Sequence, residues 1–475
     1  MKNIKTLILA MSTISLTAVV MPAHAATDAE VDALRKEVSE LKQLVQQLSN
    51  QQKAVTVVNT PKVPSTTIAA SSPVPQSKPG WMQMPDGQTQ VKLYGNVRVD
   101  ATNDFKGSNG SISNGANYPL NKDDPRQDSL NVSAATTRIG LDLTRPTQYG
   151  DLTGKIEADF MGGNGDNGSG TFRVRHAYMS LGKWLAGQTT SPFVNTDTSP
   201  ETLDFTGAVG TGTTRTVQVR YTQPINAQQK ILVALEGGDV EKVSNAAGGS
   251  RFPALTTRYD FKTADNKGLL QLHGLAHENR VAPKNSSSEE KFGWGVGIGG
   301  KYDITPQDSV VANYYHVKGD GRYLSYSNSA YAYDTTTQDI NLGEFDSAVI
   351  GYQRKWSPIL RSTFAIGGIQ YKDDNVYANS NLTNTSYNKE IYNALVNLIW
   401  NPVKNIDLGA EYTYGQRETF AGDKGDYSRI NLFAKSNFSP LVVKKRATHG
   451  SFLLSQLVHC LNFFQENFSA LMTCL

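Results

Sequence analysis

The 475-residue chain reads as an all-β protein, a 16-stranded antiparallel transmembrane β-barrel preceded by a short N-terminal coiled-coil helix. Three observations point there. From Val91 onward, apolar and polar residues alternate with period two, as in strands with one apolar face. The connections between these strands alternate long and short without a break, as in an up-and-down barrel. Aromatic rings gather beside the short turns, where a membrane interface would hold them. Tyr221, Phe261, Tyr302, Trp356 and Trp400 stand just before a turn and Trp184 just after one.

The N-terminus sets the compartment. Lys2 and Lys5, an apolar run from Thr6 to Met21 and the small-residue site Ala23-His24-Ala25 make a secretory signal over 1–25. An uncleaved anchor is the alternative. No later apolar run reaches the roughly 18 residues of a spanning helix, so the exported chain stays in the periplasm, is secreted or forms a barrel. The net charge of +3 is carried by the signal and the C-terminal tail. The near-neutral body predicts no nucleic-acid partner. Cys460 and Cys474 are the only cysteines, so no disulfide holds the body.

Over 26–50, Val31, Leu34, Val38, Leu41, Val45 and Leu48 form a heptad seam with Val at a and Leu at d, a parallel coiled coil in the periplasm. A single helix packed on its own domain is the other reading. Residues 51–90 carry Pro61, Pro64, Pro73, Pro75, Pro79 and Pro85 among Ser, Thr and Lys, a semi-extended linker.

The barrel is expected over 91–438. Its first strand, "VKLYGNVRVD", puts Val91, Leu93, Gly95, Val97 and Val99 on one face and Lys92, Tyr94, Asn96 and Arg98 on the other. Like segments follow at 132–144, 152–160, 171–181, 184–189, 214–222, 229–237, 254–261, 268–278, 291–303, 308–318, 346–356, 360–371, 389–400, 405–415 and 427–438. An even strand number puts both ends on the short-turn rim, which is periplasmic in an outer membrane. A soluble sandwich is the structural rival, but it leaves the alternation of loop lengths without a cause. Sixteen strands enclose a lumen too wide for side chains to fill. Stability is therefore expected from closed ladders in lipid and not from a packed centre.

These stretches resemble the DcaP-like trimeric outer-membrane porins: "KLYGNVRVD", "TRIGLDLTRP", "GDLTGKIEADF", "FRVRHAYMSLGKWLAGQT", "PETLDF" and "GDYSRINLFAKSNF". The resemblance runs from about residue 28 to 438. It implies a homotrimer with small anions, dicarboxylates especially, as cargo. Two departures stand out. Ser436 sits where such terminal strands carry a large ring, and residues 439–475 follow a strand that in the family ends the chain. That extension has no period-two pattern, and we read it as read-through or frameshifted sequence, with a periplasmic helix that docks elsewhere as the alternative.

If the apolar strand face meets lipid, the other face lines the lumen. That places Arg98, Arg138, Lys155, Arg173, Arg175, Arg220, Arg258 and Arg429 inside. Arg173 and Arg175, two apart, share a face, and guanidinium groups bind carboxylates in a planar, bidentate way. Asp142, Glu157, Asp159, Asp260 and Glu411 also point inward, so a wall of paired arginines is the plainer alternative. The loop "SPFVNTDTSPETLDFTG" either folds into the pore, with Asp197, Glu201 and Asp204 as constriction residues, or stays on the surface with solvated acids.

No catalytic, cofactor or metal site is expected. His273 and His277 are about 13 Å apart on a strand at about 3.3 Å per residue, too far to share one ion. No HExxH, GxSxG or P-loop motif is present. The expected partners are outer-membrane lipid, small anionic solutes, two further copies of the chain and the barrel-assembly machinery. The rival to a diffusion channel is a structural tether whose coiled coil acts in the periplasm.

Overall fold

The computed structural model describes residues 78 and 80–439, apart from 114, 124–126, 164–169, 238–246 and 284–286. The signal, the coiled coil, most of the linker and the C-terminal extension lie outside the described residues.

Nineteen segments form one hydrogen-bonded sheet. Met82–Gln83 and Ala247–Gly248 are two-residue pieces, and Ser129–Ser133 with Arg138–Thr147 make one interrupted strand, which leaves 16 wall strands. In chain order they are β1 Gln90–Lys106, β2 (the interrupted strand), β3 Gly150–Gly162, β4 Thr171–Leu181, β5 Trp184–Thr190, β6 Arg215–Pro224, β7 Gln229–Glu236 and β8 Ala254–Lys262. Then come β9 Gly268–Ala282, β10 Glu289–Asp303, β11 Asp308–Lys318, β12 Glu344–Ser357, β13 Leu360–Tyr371, β14 Asn388–Val403, β15 Ile406–Thr419 and β16 Lys424–Phe438. Neighbours pair antiparallel, and β1 closes the barrel by pairing with β16 from Gly95↔Phe438 to Lys106↔Ser428. The ring of Phe438 lies over Gly95, where a Cβ would come within 2.6 Å of it, so the seam needs glycine.

The alternation holds. In β1, Leu93, Val97 and Val99 are exposed on the outer face, while Asp100, Thr102 and Asp104 are buried on the inner one. Within 51–90, Met82–Gln83 pair with Val91 and Gln90, so a short hairpin leads into β1. The second strand departs from the expected 132–144. It begins at Ser129 and breaks over 134–137, because side chains replace ladder bonds there. The Thr136 hydroxyl donates to Asp100, and the Thr137 hydroxyl accepts from the Arg98 amide at 3.1 Å.

The expectation of an unpacked centre is overturned. Inside the barrel, long loops and inward strand residues share one apolar cluster that includes Tyr118, Phe193, Val194, Val209, Tyr315, Tyr323, Tyr326, Phe345, Tyr371, Tyr377 and Tyr427. Loops large enough to carry their own aromatic residues fill part of the width that wall side chains alone cannot. Burial pushes the phenols of Tyr118, Tyr323 and Tyr326 up, so they keep their protons. Tyr323 donates to Glu236 at 2.7 Å and Tyr326 to the Gly207 carbonyl at 3.0 Å. Other loops hold a hairpin, Tyr331–Asp334 with Asp339–Leu342, and a short helix, Val376–Ser380, capped by the Asn375 side chain.

Candidate functional site

The loop between β5 and β6, residues 191–214, folds into the lumen. Wall side chains hold it along its length. Ser191 donates to Glu236 of β7 at 2.6 Å, and His273 of β9 donates to the Pro192 carbonyl at 2.8 Å. Asn313 of β11 donates to the Thr198 carbonyl at 3.0 Å, and Asn397 of β14 to the Glu201 carbonyl at 2.9 Å. The Glu411 carboxylate of β15 takes the amides of Leu203 and Asp204 at 2.8 and 2.9 Å. The Val209 amide donates to Asn393 at 2.9 Å.

The wall beneath the loop is shaped for it. β10 turns Gly293, Gly295, Gly297 and Gly299 inward. A Cβ on Gly295 would come within 2.6 Å of the Phe193 ring, and one on Gly299 within 2.6 Å of the Thr198 hydroxyl. The glycines let loop and strand approach closely.

The loop therefore covers the inner wall from β9 to β15. The wall from β2 to β8 carries most of the arginines. A bulge between β3 and β4 makes Arg175 an extra residue in the register. Asp159 takes two bonds from Arg173, at 2.9 and 2.7 Å, and one from Arg175 at 2.7 Å. Glu157 takes Arg175 at 2.9 Å and the Tyr94 hydroxyl at 2.8 Å, with Arg138 at 3.4 Å. Arg175 is 8% exposed between its two carboxylates, whereas Arg173 and Arg138 are 39% and 31% exposed. Arg215 lies within electrostatic reach of Arg175, Arg138 and Arg173. Four guanidinium groups thus gather around two carboxylates.

The remaining expected residues fall in different places. Arg220 has no ion pair among the described residues, and its Nε is buried without a hydrogen bond. Arg258 pairs with Asp260 at 2.9 Å and lies 4.0 Å from Asp197. Arg98 pairs with Asp100 at 2.5 Å and donates to the Leu203 carbonyl at 2.6 Å, so it holds the loop. Lys155 pairs with Asp142 at 2.7 Å. Arg429 is withdrawn from the lumen. It is 1% exposed, bound to Asp104 at 2.5 Å and 3.6 Å from Asp204.

The three loop acids also separate. Asp197 is more than half exposed and accepts from Gln271 at 3.2 Å. Glu201 forms a two-bond pair with Arg361 of β13, at 2.9 and 2.7 Å. Asp204 is buried. Two arginines were missing from the sequence reading. Arg361 follows the inward parity of β13 and could have been found. Arg215 opens its strand on the outward parity of Val217 and Val219, so alternation pointed it the wrong way. His273 and His277 are buried on the inner face, and among the described residues no group of three or more potential ligands gathers for a metal.

A closed 16-stranded barrel with an apolar outer face, an inward loop and a charged lumen defines an outer-membrane porin, a channel. The DcaP outer membrane protein family model matches residues 19–438, and the chain belongs to that family. The crystal structure of the outer membrane channel DcaP of Acinetobacter baumannii is 34% identical, covers 75% of this chain and 99% of its own, and superposes with a TM-score of 0.70. An anion-selective porin from Comamonas acidovorans shares the fold at 12% identity, covering 74% of this chain and 100% of its own, with a TM-score of 0.50. No curated protein matches the chain in sequence.

Proposed function

We propose that this porin is a passive, anion-selective diffusion channel for small solutes, dicarboxylates above all, which pass between the inward loop and the β2–β8 wall. The excess of Arg138, Arg173, Arg175 and Arg215 over Glu157 and Asp159 carries the reading. Guanidinium groups replace part of the hydration that a carboxylate loses in a narrow passage. Arg173 and Arg138 offer exposed surface, and Arg220 and Arg258 extend the track. Opposite them, Asp197 gives the loop side of the constriction its charge. Glu201 and Asp204 narrow the pore by holding the loop in place.

Three copies form the working assembly in this reading. β5 has seven residues. At about 3.3 Å per residue and a ~45° tilt it rises roughly 16 Å, well short of an apolar band of about 25 Å. Phe172, Val174, Met179, Val217 and Leu235 lie bare on the outside of this low arc, and neighbouring copies would cover them. A signal cleaved after Ala25, insertion by the barrel-assembly machinery and a periplasmic coiled coil over 26–50 complete the proposal.

The test is the reversal potential of the purified protein in a planar bilayer under a salt gradient, with succinate or phthalate then added. Anion selectivity with dicarboxylate-dependent block is expected. Cation selectivity, or block by neutral solutes of the same size, would overturn the assignment.

A further inference from the structure

The inward loop leaves a second cleft on its other flank, away from the arginine track. The cleft is about 280 Å³ and lies between loop residues 196–201 and the inner face of β10 to β13. Its origin is in β10. The inward glycines of that strand end at Gly299, and the next inward residue is Lys301. The loop no longer lies flat on the wall there, and space opens beside it. The volume is just under the roughly 300–1,000 Å³ of pockets for drug-sized ligands, which suits a small metabolite.

Charges of both signs face this cleft with capacity to spare. The Lys301 ammonium makes no ion pair or hydrogen bond among the described residues, although Asp303 follows two positions on along the same face. Asp197 is more than half exposed; it accepts from Gln271 at 3.2 Å, and Arg258 is 4.0 Å away. Glu201, the other acid of the lining, is already bound twice by Arg361 and once by Gln353 at 2.7 Å. The hydroxyls of Thr196 and Ser309 also line the cleft and have no hydrogen-bond partner among the described residues. Gln271 faces Gly299 in the ladder, so the wall beneath Asp197 and the Lys301 position are about 7 Å apart, at about 3.3 Å per residue. An acid and an amine thus border one small space without pairing with each other.

A plain dicarboxylate in this cleft meets Asp197, and a plain amine meets Lys301. A solute that carries both groups satisfies both, through charge-assisted hydrogen bonds. Asp197 stands where the cleft meets the track, since Arg258 is the cation on its other side. We propose that the cleft is a subsite for amino dicarboxylates, with the ammonium group on Asp197, one carboxylate on Lys301 and the Thr196 and Ser309 hydroxyls beside them. The inference rests on the anion-channel reading for delivery: among ammonium-bearing solutes, amino dicarboxylates keep a net negative charge at neutral pH and pass the arginines.

Single-channel recording of the full chain in a planar bilayer, with L-glutamate or glutarate added, tests it. The two solutes share a carbon chain and both carboxylates and differ in the ammonium group. Wild type is expected to hold glutamate longer than glutarate, although glutarate carries more charge. Asp197→Asn should shorten the glutamate block about tenfold, the factor for one charge-assisted hydrogen bond. The glutarate block should lengthen in the same variant, because an acid facing the pore is gone. Lys301→Gln should shorten the glutamate block more than the glutarate block. Neither change strands a buried partner, so both variants should fold. Glutamate held no longer than glutarate by an anion-selective wild type, or both blocks moving the same way in Asp197→Asn, overturns the subsite and leaves the channel reading standing. Cation selectivity with the glutamate preference intact overturns the channel reading and keeps the subsite.

Discussion

The two arcs of the barrel solve different problems with the same ladder. From β9 to β15 the strands run to as many as 16 residues, and the inward loop lies against their inner face. From β4 to β8 the strands are shorter, down to seven residues, and arginines stand on the inner face. On the loop-covered arc, glycines let the loop approach, and asparagines and the buried Glu411 carboxylate bind its backbone. On the open arc, guanidinium outnumbers carboxylate. Charge in a porin is thus of two kinds: some pins a loop, and some is left facing the passage. Composition alone does not separate them.

Arg429→Ala is the strongest way to break this contrast. It removes the cation bound to the buried Asp104 and facing Asp204, and removing one partner of a buried pair costs about 3–5 kcal/mol. The temperature at which the folded band disappears in detergent gels should fall sharply. An unchanged transition would show that Arg429 is not a pin. Glu411→Ala comes next. It leaves the amides of Leu203 and Asp204 without acceptors, at about 1–3 kcal/mol each. Single-channel conductance should rise as the loop loosens. If conductance falls or stays put, the loop does not set the narrowing.

On the open arc the effects should be electrical and not structural. Arg215→Gln and Arg220→Gln remove charge without stranding a carboxylate. The reversal potential should move toward that of a non-selective pore while thermal stability holds. A loss of stability of the size seen for Arg429 would place these residues among the pins. The smallest effect concerns the turn before β1. There the Thr89 hydroxyl and the amides of Thr89 and Gln88 all donate to Asp86 and hold its carboxyl down, from 3.8 to about 2. A depressed carboxyl stabilises the folded form above its unfolded value and loses that contribution as pH falls through about 2. Protection of the Gln88 and Thr89 amides from hydrogen exchange, relative to their intrinsic rates, should fall over that range in wild type and show no such step in Asp86→Asn.

Much of the barrel was legible because lipid imposes period two on the outer face of every strand. The edges of β4, β11 and β13 were read to the residue. The interior was harder. Where the loop packs, the inner face of β13 runs Thr363, Ala365, Gly367, Ile369 and Tyr371, as apolar as the outer face, so polarity does not mark the inner side there even though strand parity carries Arg361 to it. The break in β2 depends on hydroxyls reaching a neighbouring strand, a contact no local pattern announces. The parity of β4 did place Arg173 and Arg175 together. Nothing local says that Arg175 would be enclosed by two acids while Arg173 stays open.

The span of the loop's contacts carries a consequence for assembly. Leu203 and Glu411 are 208 positions apart, and Arg429 reaches back 325 positions to Asp104. The loop can be synthesised and threaded inward early, and β7, β9, β11 and β14 hold it in turn, but its last fastenings arrive only with β15 and β16. A barrel stalled before those strands join would leave the Leu203–Asp204 end of the loop unheld, because closing the cylinder and fixing that end are one late event.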